Sequence, residues 1–194
     1  MLTPPPLDLL PPYTMRRSRS QGTTWFVASS GQRFPSVTSI LNATKSWEDR
    51  QALAQWRSRV GHDQATQITQ TASRRGTHTH KRIQRFLQGE VEAAPTATDP
   101  YWHSVSPVLA DISTVRLVEG TVVHPDLGYA GRVDGIVEYG DRLCVVDWKT
   151  ADRPKRSLDR LYDHPLQLAA YCGAVNQTYG CLLYTSPSPR DQRP

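Results

Sequence analysis

The sequence of 194 residues predicts one α/β domain in which helices precede a three-strand meander and a single helix follows it. Three observations carry this prediction. Apolar residues between positions 36 and 87 recur at helical spacing. Between 114 and 150 they fall into three strand-like runs, TVRLVEGTVVH, YAGRVDGIVEY and RLCVVDWKT, separated by the turn-forming PDLG and GD. Behind Pro165 the segment PLQLAAYCGAVNQTY returns to a helical pattern, with proline in the first turn where its missing N–H costs nothing.

The elements follow in order. Residues 1–21 carry Pro4–Pro6, Pro11, Pro12 and the run RRSRS, which reads as a disordered basic lead-in. Arg16, Arg17 and Arg19 belong to a solvated tail on this reading. TTWFVAS is a short strand. In FPSVTSILNA, Ser36 is placed to cap a helix that begins at Val37. SWEDRQALAQWRSRVG is a second helix ending at Gly61, with Trp47 and Trp56 expected in its core. From His62 to Leu87 the pattern stays helical, and Ile68, Ala72, Gly76, His80, Ile83 and Leu87 form one stripe. This segment is rich in threonine and glutamine, so its stability must come from packing more than from propensity. GEVEAAPTATDP is a linker, and YWHSVSPVLADI a short helix broken or restarted at Pro107.

Composition sets limits. No run reaches the eighteen apolar residues of a membrane span, and the proline-rich start is not a secretory signal, so no membrane partner and a cytoplasmic location are expected. Cys144, Cys172 and Cys181 are odd in number and lack CxxC spacing, which points to neither a disulfide framework nor a metal knot. The formal charge of +5 is compatible with a polyanionic partner and equally with ordinary solubility. The final fourteen residues, CLLYTSPSPRDQRP, continue no earlier pattern and resemble translated sequencing adaptor. The expectation is a non-native tail at 181–194 and a native chain cut near Gly180.

Charges inside the strands are the most informative feature. With Gly140 and Asp141 as a two-residue hairpin loop, Tyr139 faces Arg142 and the pairing runs back to Asp134 opposite Asp147. With Pro125–Gly128 as a four-residue loop, His124 faces Tyr129 and Glu119 comes opposite Asp134. Three acids then cross one sheet, at a cost in repulsion that something positive must offset. Lys149 and Arg132 would suffice in a charged rim of ion pairs. The acids, however, follow the apolar run Leu143–Val146, where the strand leaves the core, and this favours a hard cation held by oxygen. Asp134, Asp147, Glu119 and the Trp148 carbonyl suit magnesium or manganese better than zinc. Lys149 would then orient the attacking water or stabilise developing charge.

GRVDG, VVDWKT and QLAAY, preceded by the helical RGTHTH, resemble the PD-(D/E)XK nuclease superfamily in its RecB-like exonuclease branch, over roughly residues 33–178. The resemblance implies a restriction-endonuclease-like core, a central mixed sheet flanked by helices, within a nuclease domain at 22–180 whose last part is truncated. It implies that Asp134 and Asp147 are metal-binding carboxylates, that Lys149 is the catalytic lysine, and that the Trp148 carbonyl and His80 complete the metal shell. An isolated histidine on a buried stripe would otherwise be read as core. Glu119 resembles a supporting acid. Gln167 and Tyr171, one turn apart on a helix, resemble a Q-x-x-x-Y element that reaches the catalytic residues. With no cysteine before residue 144, the iron–sulfur cluster of some relatives is not expected.

The reaction implied is Mg²⁺- or Mn²⁺-dependent hydrolysis of DNA phosphodiesters, by an exonuclease acting on single-stranded or frayed ends, with no obligate protein partner. A structure-selective endonuclease and a non-catalytic DNA-binding module are the alternatives. Retention of mutually repelling acids disfavours the module. Arg74, Arg75 and Lys155, from the basic clusters flanking the proposed site, are the candidate phosphate contacts. Trp47, Trp56 and Trp102 are large enough to stack on bases, although the helix spacing of the first two places them in a core.

Overall fold

The computed structural model describes residues 2–90, 100–153, 155, 157 and 161–180. In chain order the elements are β1 (Arg16–Ser20), β2 (Thr23–Val27), β3 (Arg33–Pro35), α1 (Val37–Ala43), α2 (Trp47–Val60), α3 (His62–Leu87), α4 (Pro100–Ala110), β4 (Ile112–His124), β5 (Tyr129–Tyr139), β6 (Arg142–Val146) and α5 (His164–Tyr179). The α/β class stands. The strands form two antiparallel sheets, β1-β2-β3 and β4-β5-β6, so the mixed character expected of the sheet is confined to isolated parallel bridges.

Two turns fix the register of the second sheet. Gly140 has φ 62°, the conformation a type II′ turn requires at its first central position, and Tyr139 pairs with Arg142 across it. His124 pairs with Tyr129 across the other loop. From there β4 and β5 keep step to Leu117 opposite Ile136, which sets Glu119 against Asp134. Glu119 itself has φ 53°, an unusual conformation for a residue with a side chain.

Strand β5 changes partners along its length. Its far half, Gly135–Tyr139, pairs with β6, whereas at its near end Ala130 bridges to Ser36, just past β3. Residues 131–134 therefore have no strand on that edge among the described residues. Asp134 sits at this opening.

Three helices line the sheet, each for a readable reason. Ser36 caps α1 by accepting from the Ser39 N–H at 3.1 Å. Helix α5 starts with Pro165 in its first turn and ends at Gly180, whose φ of 62° closes the helix in the left-handed conformation. It is fastened by Thr178, whose hydroxyl accepts from the Val123 N–H at 3.0 Å, and by Tyr129, whose hydroxyl donates to the Ala170 carbonyl at 2.9 Å. Between α5 and the sheet lie Val37, Leu117, Val122, Val133, Ile136, Tyr171, Ala174 and Val175. The C-terminal half of α3 buries Ile83, Phe86 and Leu87 with Trp102 of α4 and Val115 and Val137 of the sheet. Threonines are tolerated in α3 because their hydroxyls bond to carbonyls four residues back, as in Thr66 to His62, Thr69 to Ala65 and Thr79 to Arg75.

Several expectations are corrected. The N-terminal segment is not a disordered tail. Leu7 bridges Val115 in parallel, Asp8 and Leu10 donate to the carbonyls of Val115 and Arg116, and Arg16–Ser20 pair with β2. The first of these contacts covers the outer edge of β4, which would otherwise expose unpaired backbone groups. Trp47 is 68% exposed and α2 buries no residue at all, so Trp47 and Trp56 do not form a core. The stripe on α3 is buried only toward its C-terminal end, since Ile68 is exposed. Helix α4 runs through Pro107 without a break. The strand expected to begin at residue 114 begins at Ile112, with irregular pairing between Ile112 and Leu117. The segments expected as linker and non-native tail, 91–99 and 181–194, lie outside the described residues.

Helix α5 approaches the sheet closely at Gly131, where a Cβ would stand 2.4 Å from the Tyr171 ring. Substitution Gly131→Ala must push that buried ring, and α5 with it, off the sheet. Urea denaturation is expected to show a loss of about 1–3 kcal/mol, as for overpacked cores; an unchanged midpoint would contradict this packing.

Candidate active site

Asp134 is the centre of the polar cluster. The chain leaves β6 at Val146 and passes over the opening beside β5, where the Trp148 N–H donates to Asp134 Oδ2 at 2.7 Å. The same oxygen lies 3.4 Å from Nδ1 of His80, delivered by α3. On the other side, Glu119 of β4 faces Asp134, its backbone carbonyl and carboxylate both gripped by Arg132, at 3.0 and 2.8 Å from Nε. One ligand atom each from His80, Glu119 and Asp134 lie within 4.8 Å of one another. An imidazole and two carboxylates converging this closely form a donor set suited to a divalent cation.

Asp147 stands beside that trio and is not part of it. Its side chain is 5% exposed, Oδ2 is paired with the Lys149 ammonium, and Oδ1 accepts from Gln167 Nε2 at 3.1 Å. Gln167 Nε2 also donates to the Tyr171 hydroxyl at 3.1 Å, which uses both of its hydrogens and fixes the amide's orientation. The two i, i+4 residues of α5 thus brace Asp147 from below the sheet.

The electrostatics follow from this geometry. The hydrogen bond to Asp134 raises the pKa of His80, against the opposing effect of burial. Burial raises Glu119, and Arg132 works against it. Burial also raises Asp147, with the Lys149 bond pulling the other way. Burial pushes the Tyr171 phenol up to about 12, despite the bond from Gln167. Groups with displaced titration gathered at an opening in a sheet are the usual signature of a chemical site.

The sequence-predicted residues are thus distributed in three ways. His80, Glu119 and Asp134 come together. Asp147, Lys149, Gln167 and Tyr171 form an adjoining chain of contacts, and the Trp148 backbone joins the two groups. Glu119, expected as a supporting acid and a further oxygen donor, is the second carboxylate of the trio, and Asp147 lies next to it. Of the candidate phosphate contacts, Arg74 is exposed on α3, and Lys155 is exposed with its ammonium 5.1 Å from the Tyr162 ring centroid. Arg75 is different: it pairs with Asp152 and lies 5.0 Å from the Tyr101 ring centroid. Asp152 and Tyr101 carried no signal in the sequence, because the contact spans distant segments and Asp152 sat in a run read as basic. Trp102 is buried beneath Arg82 and edge-on to Phe86, so it offers no stacking surface.

A sheet opening lined by the D-x-K segment that follows β6, a helix histidine and a bracing Q-x-x-x-Y helix is an arrangement fitted to a nuclease, and the chain belongs to the PD-(D/E)XK nuclease superfamily, whose profile it matches over residues 43–187. It is similar to proteins named Mitochondrial genome maintenance exonuclease 1. The mouse protein (Mus musculus) is 36% identical over 149 residues, the Xenopus tropicalis protein 37% over 150, and the human protein 33% over 150. Each alignment covers 73% of this chain and 43–44% of the relative, so the chain spans less than half the length of these relatives.

The Tyr171 environment has a measurable consequence. In the unfolded chain a tyrosine ionises near its usual value of 10, whereas folded Tyr171 holds its proton to about 12. Between those values the unfolded state binds fewer protons, so this group's contribution to stability falls as pH rises. Tyr171→Phe is expected to remove that slope, narrowing the alkaline loss by up to about 3 kcal/mol. Denaturant midpoints of both proteins through the alkaline range test it, and parallel curves would contradict it.

Proposed function

We propose that this chain is a metal-dependent DNA exonuclease that hydrolyses phosphodiester bonds at single-stranded or frayed ends. The observation that carries the reading is the convergence of His80, Glu119 and Asp134 beside the Lys149–Asp147 pair. Exonuclease action is also what the names of the relatives state of those proteins. Those names refer to a mitochondrial genome, so the cytoplasmic location expected from the sequence is kept only as a default. No described helix is long and apolar enough to cross a membrane.

His80, Glu119 and Asp134 would hold Mg²⁺ or Mn²⁺, with Asp147 and the Trp148 carbonyl in the further ligand roles implied by the superfamily resemblance. When bound, such a cation supplies Lewis acidity toward a phosphoryl oxygen and eases deprotonation of water. Lys149 is held at the edge of the site by Asp147, where its ammonium can orient the attacking water and offset charge developing on the phosphate. Gln167 keeps Asp147 in place for that task, and Arg132 does the same for Glu119. Arg74 and Lys155 are free of carboxylate partners among the described residues and are assigned to phosphates of the substrate strand.

Cleavage of end-labelled linear and of closed circular single-stranded DNA, with Mg²⁺ or Mn²⁺ titrated in, tests the proposal. Linear strands should shorten from an end and circles should persist. Asp147→Ala and Lys149→Ala should each slow cleavage about 10²–10³-fold, the range seen when one preorganised electrostatic group is removed. Cut circles would make the protein an endonuclease. DNA binding without metal-dependent cleavage would make it a binding module.

A further inference from the structure

The backbone from Asp147 to Thr150 belongs to no strand, yet it carries Lys149. Its position rests on side-chain attachments. The Trp148 N–H is bonded to Asp134, and the Trp148 ring packs against the cluster containing Ile83, Leu87 and Val115. Thr150 lies over Gly76 of α3, its Oγ1 3.5 Å from where a Cβ would stand, so the segment rests against the helix at ordinary contact distance. Two residues further, Asp152 pairs with Arg75 of α3, and the Tyr101 hydroxyl of α4 donates to the same Oδ1 at 3.3 Å. The Arg75 guanidinium is sandwiched in this corner, 20% exposed, with the Tyr101 ring centroid 5.0 Å away.

We propose that Arg75 is a positioning residue that acts through Asp152. It ties the segment bearing Lys149 to the helix bearing His80, five residues further along α3, and Tyr101 completes the clamp. A guanidinium committed to a carboxylate and an aromatic face is poorly placed to serve as a phosphate contact. An ion pair whose acid is 73% exposed adds little to global stability. Its effect is local: a displacement of Lys149 by about 1 Å is enough to slow a positioned reaction about 10²-fold. The inference rests on the nuclease reading above for its kinetic form, and its structural form is independent of it.

The test compares Asp152→Asn, Arg75→Gln and the double variant with the parent chain. Single-turnover cleavage, DNA affinity and the salt dependence of binding are measured alongside hydrogen–deuterium exchange of residues 147–153. The clamp predicts that each single variant lowers the cleavage rate about 10- to 100-fold with unchanged affinity and salt slope, and that the double variant is no worse than either. It also predicts faster exchange in 147–153 for all three. If Arg75 is instead a phosphate contact, Arg75→Gln alone weakens binding and reduces the salt slope by about 1, while Asp152→Asn leaves cleavage intact. If the parent chain cleaves nothing, the nuclease reading fails and exchange decides the clamp by itself: unaltered exchange in Asp152→Asn overturns it.

Discussion

Asp134 Oδ2 accepts the Trp148 N–H at 2.7 Å while lying 3.4 Å from His80 Nδ1, and the arrangement of the site depends on that shared atom. Through it a carboxylate on the middle strand holds both the segment that follows β6 and a helix from a separate part of the chain. A buried backbone N–H left without a partner costs about 1–3 kcal/mol. The Asp134 carboxylate therefore does structural work before any substrate arrives. The same contact explains why Lys149 is held near the acids once β6 has ended: the hydrogen-bonded ladder stops at Val146, and a side chain of the neighbouring strand takes over two residues later.

The opening beside β5 is a matter of topology. β6 covers one half of that edge and Ser36 touches the near end, so the four residues between them, 131–134, face a gap. Glu119 reaches the gap from β4 by adopting a left-handed backbone conformation, a strain of order 1 kcal/mol that Arg132 offsets by binding its carbonyl and its carboxylate together. Strain maintained by a dedicated partner is the pattern expected where a side chain must be aimed rather than merely buried. Gly131 has the complementary role, since its lack of a side chain lets Tyr171 close the floor of the gap.

Much of this was legible in the sequence because it follows from local rules. A two-residue turn at Gly140–Asp141 fixes the register of β5 and β6 as far as Gly135 opposite Val146, one step short of the pairing expected for Asp134 and Asp147, and the loop before Tyr129 sets Glu119 against Asp134. The i, i+4 spacing of Gln167 and Tyr171 likewise forces them onto one helix face. What stayed hidden depends on contacts between distant segments. Hydrophobic spacing in α2 could not reveal that the helix buries nothing, since Trp47 and Leu53 lack a surface to pack on. Prolines near the N-terminus suggested disorder, but the edge of β4 supplies backbone partners more than a hundred residues away. The charge of Arg75 suggested phosphate, and only the fold brings Asp152 to it. The contacts of Asp147 with Lys149 and Gln167, which set its carboxylate beside the trio, are likewise side-chain pairings that strand register does not specify.

The central claim is that His80, Glu119 and Asp134 form the cation-binding trio. Calorimetric titration of Mn²⁺ into the parent chain, Asp134→Asn and Glu119→Gln, without DNA, addresses it most directly. The account predicts saturable binding by the parent and a loss of at least about tenfold in affinity for each variant. Equal affinity in all three proteins would contradict it.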